Sequence, residues 1–287
     1  MSLRRGAALA ASVLLAGALL AACGGGDGGV DSSPNDQPAT TGEPTATTGN
    51  PSATTPPGTV PPDAAGVDVR VYYLDGGKIA TGHRRVAPTR AVARAAFDAL
   101  IAGPTDTEAR AGFTSAVRPE TTVTDLDISG GVATVTLSPE IGRGDNAETA
   151  AQAVAQIVYT LTQFPTVERV RIGSEATPIG RDDLRAVTPL VLLESVAPGD
   201  TVTSPVTVAG ESNTFEGTVR IRVLGADGAV LADTFTTATS GSGTWGRFSE
   251  KVAFDRKGNT TGSVVVFWDS PEDGSPRDVT EVPVRFA

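Results

Sequence analysis

Apolar and polar positions change period along the chain, and the changes mark its elements. Val67 to Leu74 alternates β-branched and aromatic residues with polar ones and predicts a strand. Asp75-Gly76-Gly77 is a turn signal, and Lys78 to Val86 predicts a returning strand. The period then becomes helical. Val92, Ala96, Phe97, Leu100 and Ile101 share a face of a helix opened by Pro88-Thr89, with Thr89 as expected N-cap, and Gly103-Pro104 stops it. Thr105 and Glu108 have capping-box spacing for a further short turn of helix. Thr121 to Ile128 and Val132 to Leu137 predict a hairpin about Ser129-Gly130-Gly131. Asp145-Asn146-Ala147-Glu148 opens a second long helix to about Phe164. Its expected buried face is Val154, Ile157, Val158, Leu161 and Phe164, with Gln152, Gln156, Thr160 and Gln163 facing elsewhere. Val167 to Ile172 closes the region as a strand. Residues 67–180 thus predict an α+β domain, two helices on one face of a mixed sheet.

From 188 to 287 no helical period appears. Leu190–Glu194, Val206–Glu211, Val219–Leu224, Val230–Thr237, Trp245–Phe254, Ser263–Trp268 and Val279–Phe286 are seven candidate strands, with the lengths and spacing of a β-sandwich. Val219, Ile221 and Val223 alternate with Arg220 and Arg222, as in a strand with one wet face.

The first 66 residues fit neither pattern. Arg4 and Arg5 precede an apolar run from Ala7 to Leu20 that gives way to Gly24-Gly25-Gly26-Asp27, the layout of a signal peptide over residues 1–22. Leu20-Ala21-Ala22-Cys23 resembles the lipobox of bacterial lipoproteins. That resemblance implies a diacylglyceryl group on Cys23, removal of the peptide before it, and an extracytoplasmic chain held to the membrane by lipid. Residues 23–66 are rich in Gly, Pro and Thr, lack Lys, Arg and aromatic residues, and read as a disordered tether with a mean span of roughly 35–40 Å.

Composition narrows the function classes. The chain has 287 residues, with one Cys, one Met and one His. One Cys closes no intramolecular disulfide and builds no thiolate zinc site, and one His leaves no His-rich metal site; no metal and no cofactor are expected. Basic residues number 23 against 33 acidic, and loss of residues 1–22 removes two Arg and no acid, leaving net −12. Such a chain is a poor nucleic-acid binder.

Leu100-Ile101-Ala102-Gly103-Pro104-Thr105, Gly131-Val132-Ala133-Thr134-Val135-Thr136-Leu137-Ser138, and the stretch from Gln156 to Val167 resemble the GerMN domain of sporulation and germination proteins. Pro198 to Pro205, Gly210 to Thr218 and Asp269 to Ser275 resemble the immunoglobulin-like domain that often follows it. The first resemblance implies non-enzymatic roles, such as assembly of envelope complexes or association with a sensor kinase. It supplies no catalytic residues.

The remaining chemistry-bearing residues have modest readings. His83 lacks a Gly-x-Ser-x-Gly elbow or reactive Cys to work with, and reads with Arg84 and Arg85 as a solvated basic patch. Asp269, Glu272 and Asp273 offer oxygen ligands that could converge on calcium, but they lack EF-hand spacing and read in preference as an acidic turn. Arg143-Gly144-Asp145 combines a turn glycine with a helix cap. Ser240 to Gly243 reads as a mobile loop, and Trp245 as a core or rim residue in preference to a sugar-stacking one. Asp125 and Asp127 share a strand face, which alone does not make them catalytic. The expected function is a membrane-anchored, non-catalytic scaffold binding an envelope protein. A module binding cell-wall glycan is the alternative, and a wall hydrolase ranks last.

Overall fold

The computed structural model describes residues 66–141, 145–173 and 176–287. The signal peptide, Cys23, the tether, Arg143 and Gly144 lie outside the described residues.

Strands β1 (Val67–Asp75) and β2 (Lys78–Val86) form an antiparallel hairpin that pairs with no other named strand. Helix α1 is Val92–Ile101, α2 is Asp106–Arg110 and α3 is Ala147–Leu161. Strands β3 (Thr122–Ser129), β4 (Val132–Ser138) and β5 (Arg169–Ile172) form a second sheet, antiparallel between β3 and β4 and parallel between β4 and β5. The N-terminal architecture is therefore α+β, with the mixed sheet confined to three strands and the first hairpin standing apart from it.

The hairpin is buried on both faces. Val69, Val71 and Tyr73 on one face join Ala96, Phe97 and Leu100 of α1 in the core. The α2 capping box forms as predicted, and Glu108 also accepts both arms of Arg84, at 2.7 and 2.6 Å. Gly82 makes room for this pair, since a Cβ there would come within 2.3 Å of the Glu108 carboxylate. Thr89 is not the cap of α1. Its hydroxyl accepts from Ala91 N–H, and Ala91 is the N-cap, because the bend after Pro88 takes two more residues before helical geometry begins.

The polar stripe on α3 departs most from expectation. Gln156 and Thr160 are fully buried, and all four polar residues dock against the hairpin. Gln163 gives Nε2 to the Arg70 carbonyl and takes the Arg70 N–H on Oε1 (2.6 and 2.8 Å). Thr160 Oγ1 accepts Tyr72 N–H, Gln156 Nε2 donates to the Tyr72 carbonyl, and Gln152 Nε2 reaches the Gly77 carbonyl. Arg70 and Tyr72 present backbone groups away from β2, so the helix does for this edge what a third strand would do. Buried backbone groups must be paired, and side-chain amides are pairing them here. The helix ends at Leu161 instead of Phe164, with Thr162 Oγ1 donating back to the Val158 carbonyl.

The C-terminal half is all β. Strands β6 (Val191–Leu193), β8 (Val206–Ser212) and β11 (Gly246–Val252) form one sheet in the order β11-β8-β6. Strands β7 (Thr201–Val202), β9 (Thr218–Gly225), β10 (Val230–Thr237), β12 (Thr261–Asp269) and β13 (Pro276–Phe286) form the other in the order β10-β9-β12-β13-β7. All seven predicted strands occur. The eighth, β7, spans only two residues, too few to show a period. The alternation on β9 also holds, although Arg220 and Arg222 pair with Asp233, and Arg222 lies 4.7 Å over the Phe267 ring.

Strand β6 is buried on both sides. Val191 and Leu193 enter the sandwich core, whereas Leu192 enters the core of the N-terminal half. The two halves therefore meet through packed apolar surface.

The role of α3 is testable. Gln156→Leu conserves volume but leaves the Tyr72 carbonyl and the Ala116 N–H without their side-chain partner. It should cost about 3 kcal/mol in urea-unfolding free energy, at ~1–3 kcal/mol per unsatisfied buried group.

Candidate functional site at the domain junction

The segment between the predicted domains is a 3-10 helix, Arg181–Val187. Leu184 anchors it in the N-terminal core, and Arg181 and Arg185 project toward the seam. Arg181 Nη1 lies 2.9 Å from Glu194 Oε1 and 2.6 Å from Glu211 Oε1, and its Nε lies 3.0 Å from Thr162 Oγ1. Its guanidinium sits 4.5 Å from the Tyr159 ring centroid and 5.4 Å from that of Tyr72. The Tyr72 hydroxyl donates to Glu194 Oε1. Arg185 Nη1 reaches Glu211 Oε2 at 2.9 Å and the Tyr159 hydroxyl at 3.1 Å, and Arg185 lies 4.1 Å over the Trp245 ring. Side-chain exposure is 10% for Arg181, 6% for Glu194 and 7% for Glu211.

Two cations and two carboxylates are thus desolvated together, with tyrosines completing their shells. Burial pushes the Tyr72 phenol up strongly, and Glu194 opposes its ionisation further. Burial would also raise Glu194, but the Arg181 charge and the Tyr72 hydroxyl outweigh it and hold the carboxyl below its ordinary value. Arg181 is likewise raised, because Tyr72, Glu194 and Glu211 outweigh its desolvation. None of these three is brought toward neutrality, where an acid or base would exchange protons.

His83 makes a second bridge. Its Nδ1 lies 2.8 Å from Asp200 Oδ2 and its Nε2 lies 3.1 Å from the Glu194 carbonyl. Both partners are acceptors, so the doubly protonated ring satisfies both contacts. Burial lowers the His83 pKa, but the hydrogen bond and charge of Asp200 overcome it and the net direction is upward. A His–Asp pair is the orienting half of a hydrolytic triad. Here Nε2 faces a carbonyl, and the adjacent hydroxyl, Ser195 Oγ, donates to the Thr207 carbonyl while accepting Ala209 N–H.

Several residues therefore sit differently from expectation. His83 is an interdomain clamp and not a solvated strand residue, because a carboxylate from the distant loop at 200 closes over it. Arg84 is also not solvated, since it pairs with Glu108, 2% exposed at the side chain. Arg85 does lie in solvent, paired with Asp68. The loop from Ser240 to Gly243 is pinned, with Ser242 N–H on the Thr214 carbonyl and Gly243 N–H on Asn213 Oδ1. Asp145 pairs with Arg118, and Asn146 takes the N-cap of α3. Asp125 and Asp127 stand exposed on β3. Asp273 accepts from Ser275, and Asp269 lies 3.8 Å from Arg220. Among the described residues no group of His, Cys, Asp and Glu side chains is placed to hold a metal.

Trp245 takes a rim position, its ring stacked by Arg185 beside an open cleft of about 620 Å³ that Arg169 and Arg247 also line. Sequence reasoning missed Tyr72, Tyr159, Arg181, Arg185, Glu194 and Glu211 because each alone looks like an ordinary strand, helix or linker residue. The one available signal was the pair of arginines four apart in a segment assigned to neither domain.

Residues 70–179 match a family described as sporulation and spore germination, and residues 191–275 match the immunoglobulin-like domain of bacterial spore germination. Among solved structures, a candidate lipoprotein of Clostridium perfringens is 19% identical, covering 43% of this chain and 93% of that one at a TM-score of 0.30. The first GerMN domain of the sporulation protein GerM from Bacillus subtilis is 24% identical, covering 41% and 99% at a TM-score of 0.34. The tandem GerMN domains of the same protein are 16% identical, covering 65% and 61% at a TM-score of 0.33. No curated protein matches the chain.

Two outcomes check the junction. Arg181→Met keeps the bulk but leaves Glu194 with only the Tyr72 hydroxyl and Glu211 with Arg185, and should cost about 3 kcal/mol of unfolding free energy. Because the folded pKa of His83 is raised, its stabilisation is fully present below its unfolded value of about 6.5 and is lost as pH rises through the folded value. The stability gap between wild type and His83→Gln should therefore be widest at mildly acid pH and narrow as pH rises, read from urea midpoints across a pH series.

Proposed function

From a chain that carries a GerMN-type sporulation and germination domain followed by the immunoglobulin-like domain of bacterial spore germination, we propose an extracytoplasmic lipoprotein that acts as a non-catalytic scaffold in the cell envelope. The observation that carries this reading is the junction. The charged groups that meet there are engaged with one another across the seam, as expected of a device that holds two modules in one orientation. Buried ionic clusters add little net stability but can specify a geometry. A scaffold needs that geometry, since it presents two surfaces at a set spacing to a partner protein.

Cys23 is the proposed anchor and residues 24–66 the spacer. A diacylglyceryl group plus an N-acyl chain would supply the two lipid signals that stable anchoring requires. Among the described residues no helix is long and apolar enough to cross a membrane. A net charge of −12 after processing is repelled by anionic headgroups, which leaves the lipid as the attachment.

Cys23→Ser should move the protein from the membrane fraction to the soluble extracytoplasmic fraction. Unchanged membrane retention would refute the anchor. For the scaffold, a photoreactive residue at Phe235, exposed on the edge strand β10, should crosslink to one defined envelope protein in intact cells, and Arg181→Met should weaken that capture. Scattered adducts, or none, would count against a specific partner.

A further inference from the structure

A second cleft, of about 770 Å³, lies between the hairpin and the loop that follows β6. Arg70, His83 and Arg85 line it with Phe164, Ser195 and Asp200. Arg70 stands opposite His83 in the β1–β2 register, so the two side chains share the hairpin face turned to the C-terminal half. The other cations of this cleft have acceptors. His83 has Asp200, Arg84 has Glu108 and Arg85 has Asp68. Arg70 has none. Among the described residues it is the half-buried arginine whose side chain makes no hydrogen bond, and its Nε is sealed from solvent without a partner. Its backbone N–H and carbonyl are both held by Gln163, so the base of the side chain cannot shift to seek one.

The Nη1 and Nη2 atoms of Arg70 are not sealed and likewise have no protein acceptor, so the charged end of the side chain is open to the cleft. We propose that this cleft binds a carboxylate carried on an apolar group, received by Nη1 and Nη2 of Arg70 as a two-donor fork. A guanidinium matches the planar, two-oxygen carboxylate. Phe164 supplies apolar wall beside it. Asp68, Glu194 and Asp200 line the same cleft and disfavour a dianion such as phosphate, so a singly charged acid fits better. Small aromatic acids and the C-terminus of a peptide both carry such a group. The site does not depend on the scaffold reading, since a ligand could bind here whether or not the protein assembles with others.

Calorimetric titration of the full chain in detergent at constant ionic strength tests the site. The probes are phenylacetate, its neutral analogue benzyl alcohol, inorganic phosphate, and a Phe-ended peptide with a free or an amidated C-terminus. Phenylacetate or the free-acid peptide should bind, and benzyl alcohol, phosphate and the amidated peptide should not. Binding of the peptide alone identifies a polypeptide terminus as the ligand, and binding of phenylacetate alone a small acid. Arg70→Gln should weaken binding about tenfold or more, as expected for loss of a charge-assisted pair. Arg70→Lys should fall between, and Arg90→Gln, at an exposed position outside the cleft, should change nothing. The site is overturned if neither carboxylate binds the wild type, or if a folded Arg70→Gln or Arg70→Lys variant binds as tightly as wild type.

Discussion

The hairpin β1–β2 has only two strands, too few to be stable in water by itself, so both faces and its outer edge must be covered by something else. Each cover comes from a different part of the chain. Helix α1 and the Glu108–Arg84 pair close one face, and Leu192 with the Glu194–Asp200 region closes the other. The amide and hydroxyl side chains of α3 take the edge. The hairpin is therefore where the two halves become one folded body.

That arrangement explains where the charges lie. Covering the second face brings Tyr72 and His83 under a different domain, together with the linker arginines. Ionic groups caught in such a seam must be paired, or they prevent its closure. Arg181 between Glu194 and Glu211, and His83 between Asp200 and a carbonyl, meet that demand. Arg70 lies at the border of the same seam and does not, which is why a ligand is inferred there and not at the paired cluster.

The fold was largely legible in the linear pattern, because period-2 and period-3.6 alternation reports which face of an element is dry. Seven sandwich strands, both long helices and the Thr105–Glu108 box follow from spacing that acts within a few residues. The junction was far less legible. Gln156 and Thr160 read as a wet face because polar side chains usually seek water, and here they met backbone groups of a strand more than 80 positions earlier. Their chemistry was visible in the sequence, but their partner was not.

Local patterning by itself determined the element types, the order of an α+β region before a β-sandwich, and that a single Cys closes no intramolecular disulfide. Tertiary structure decided which polar residues are buried, that His83 is a clamp, that Trp245 is covered by an arginine, and that Arg70 is left without an acceptor. The physical reason is range. Hydrophobic period and capping act between neighbours in the chain, whereas the state of a charge depends on which distant groups close over it and how much water they exclude.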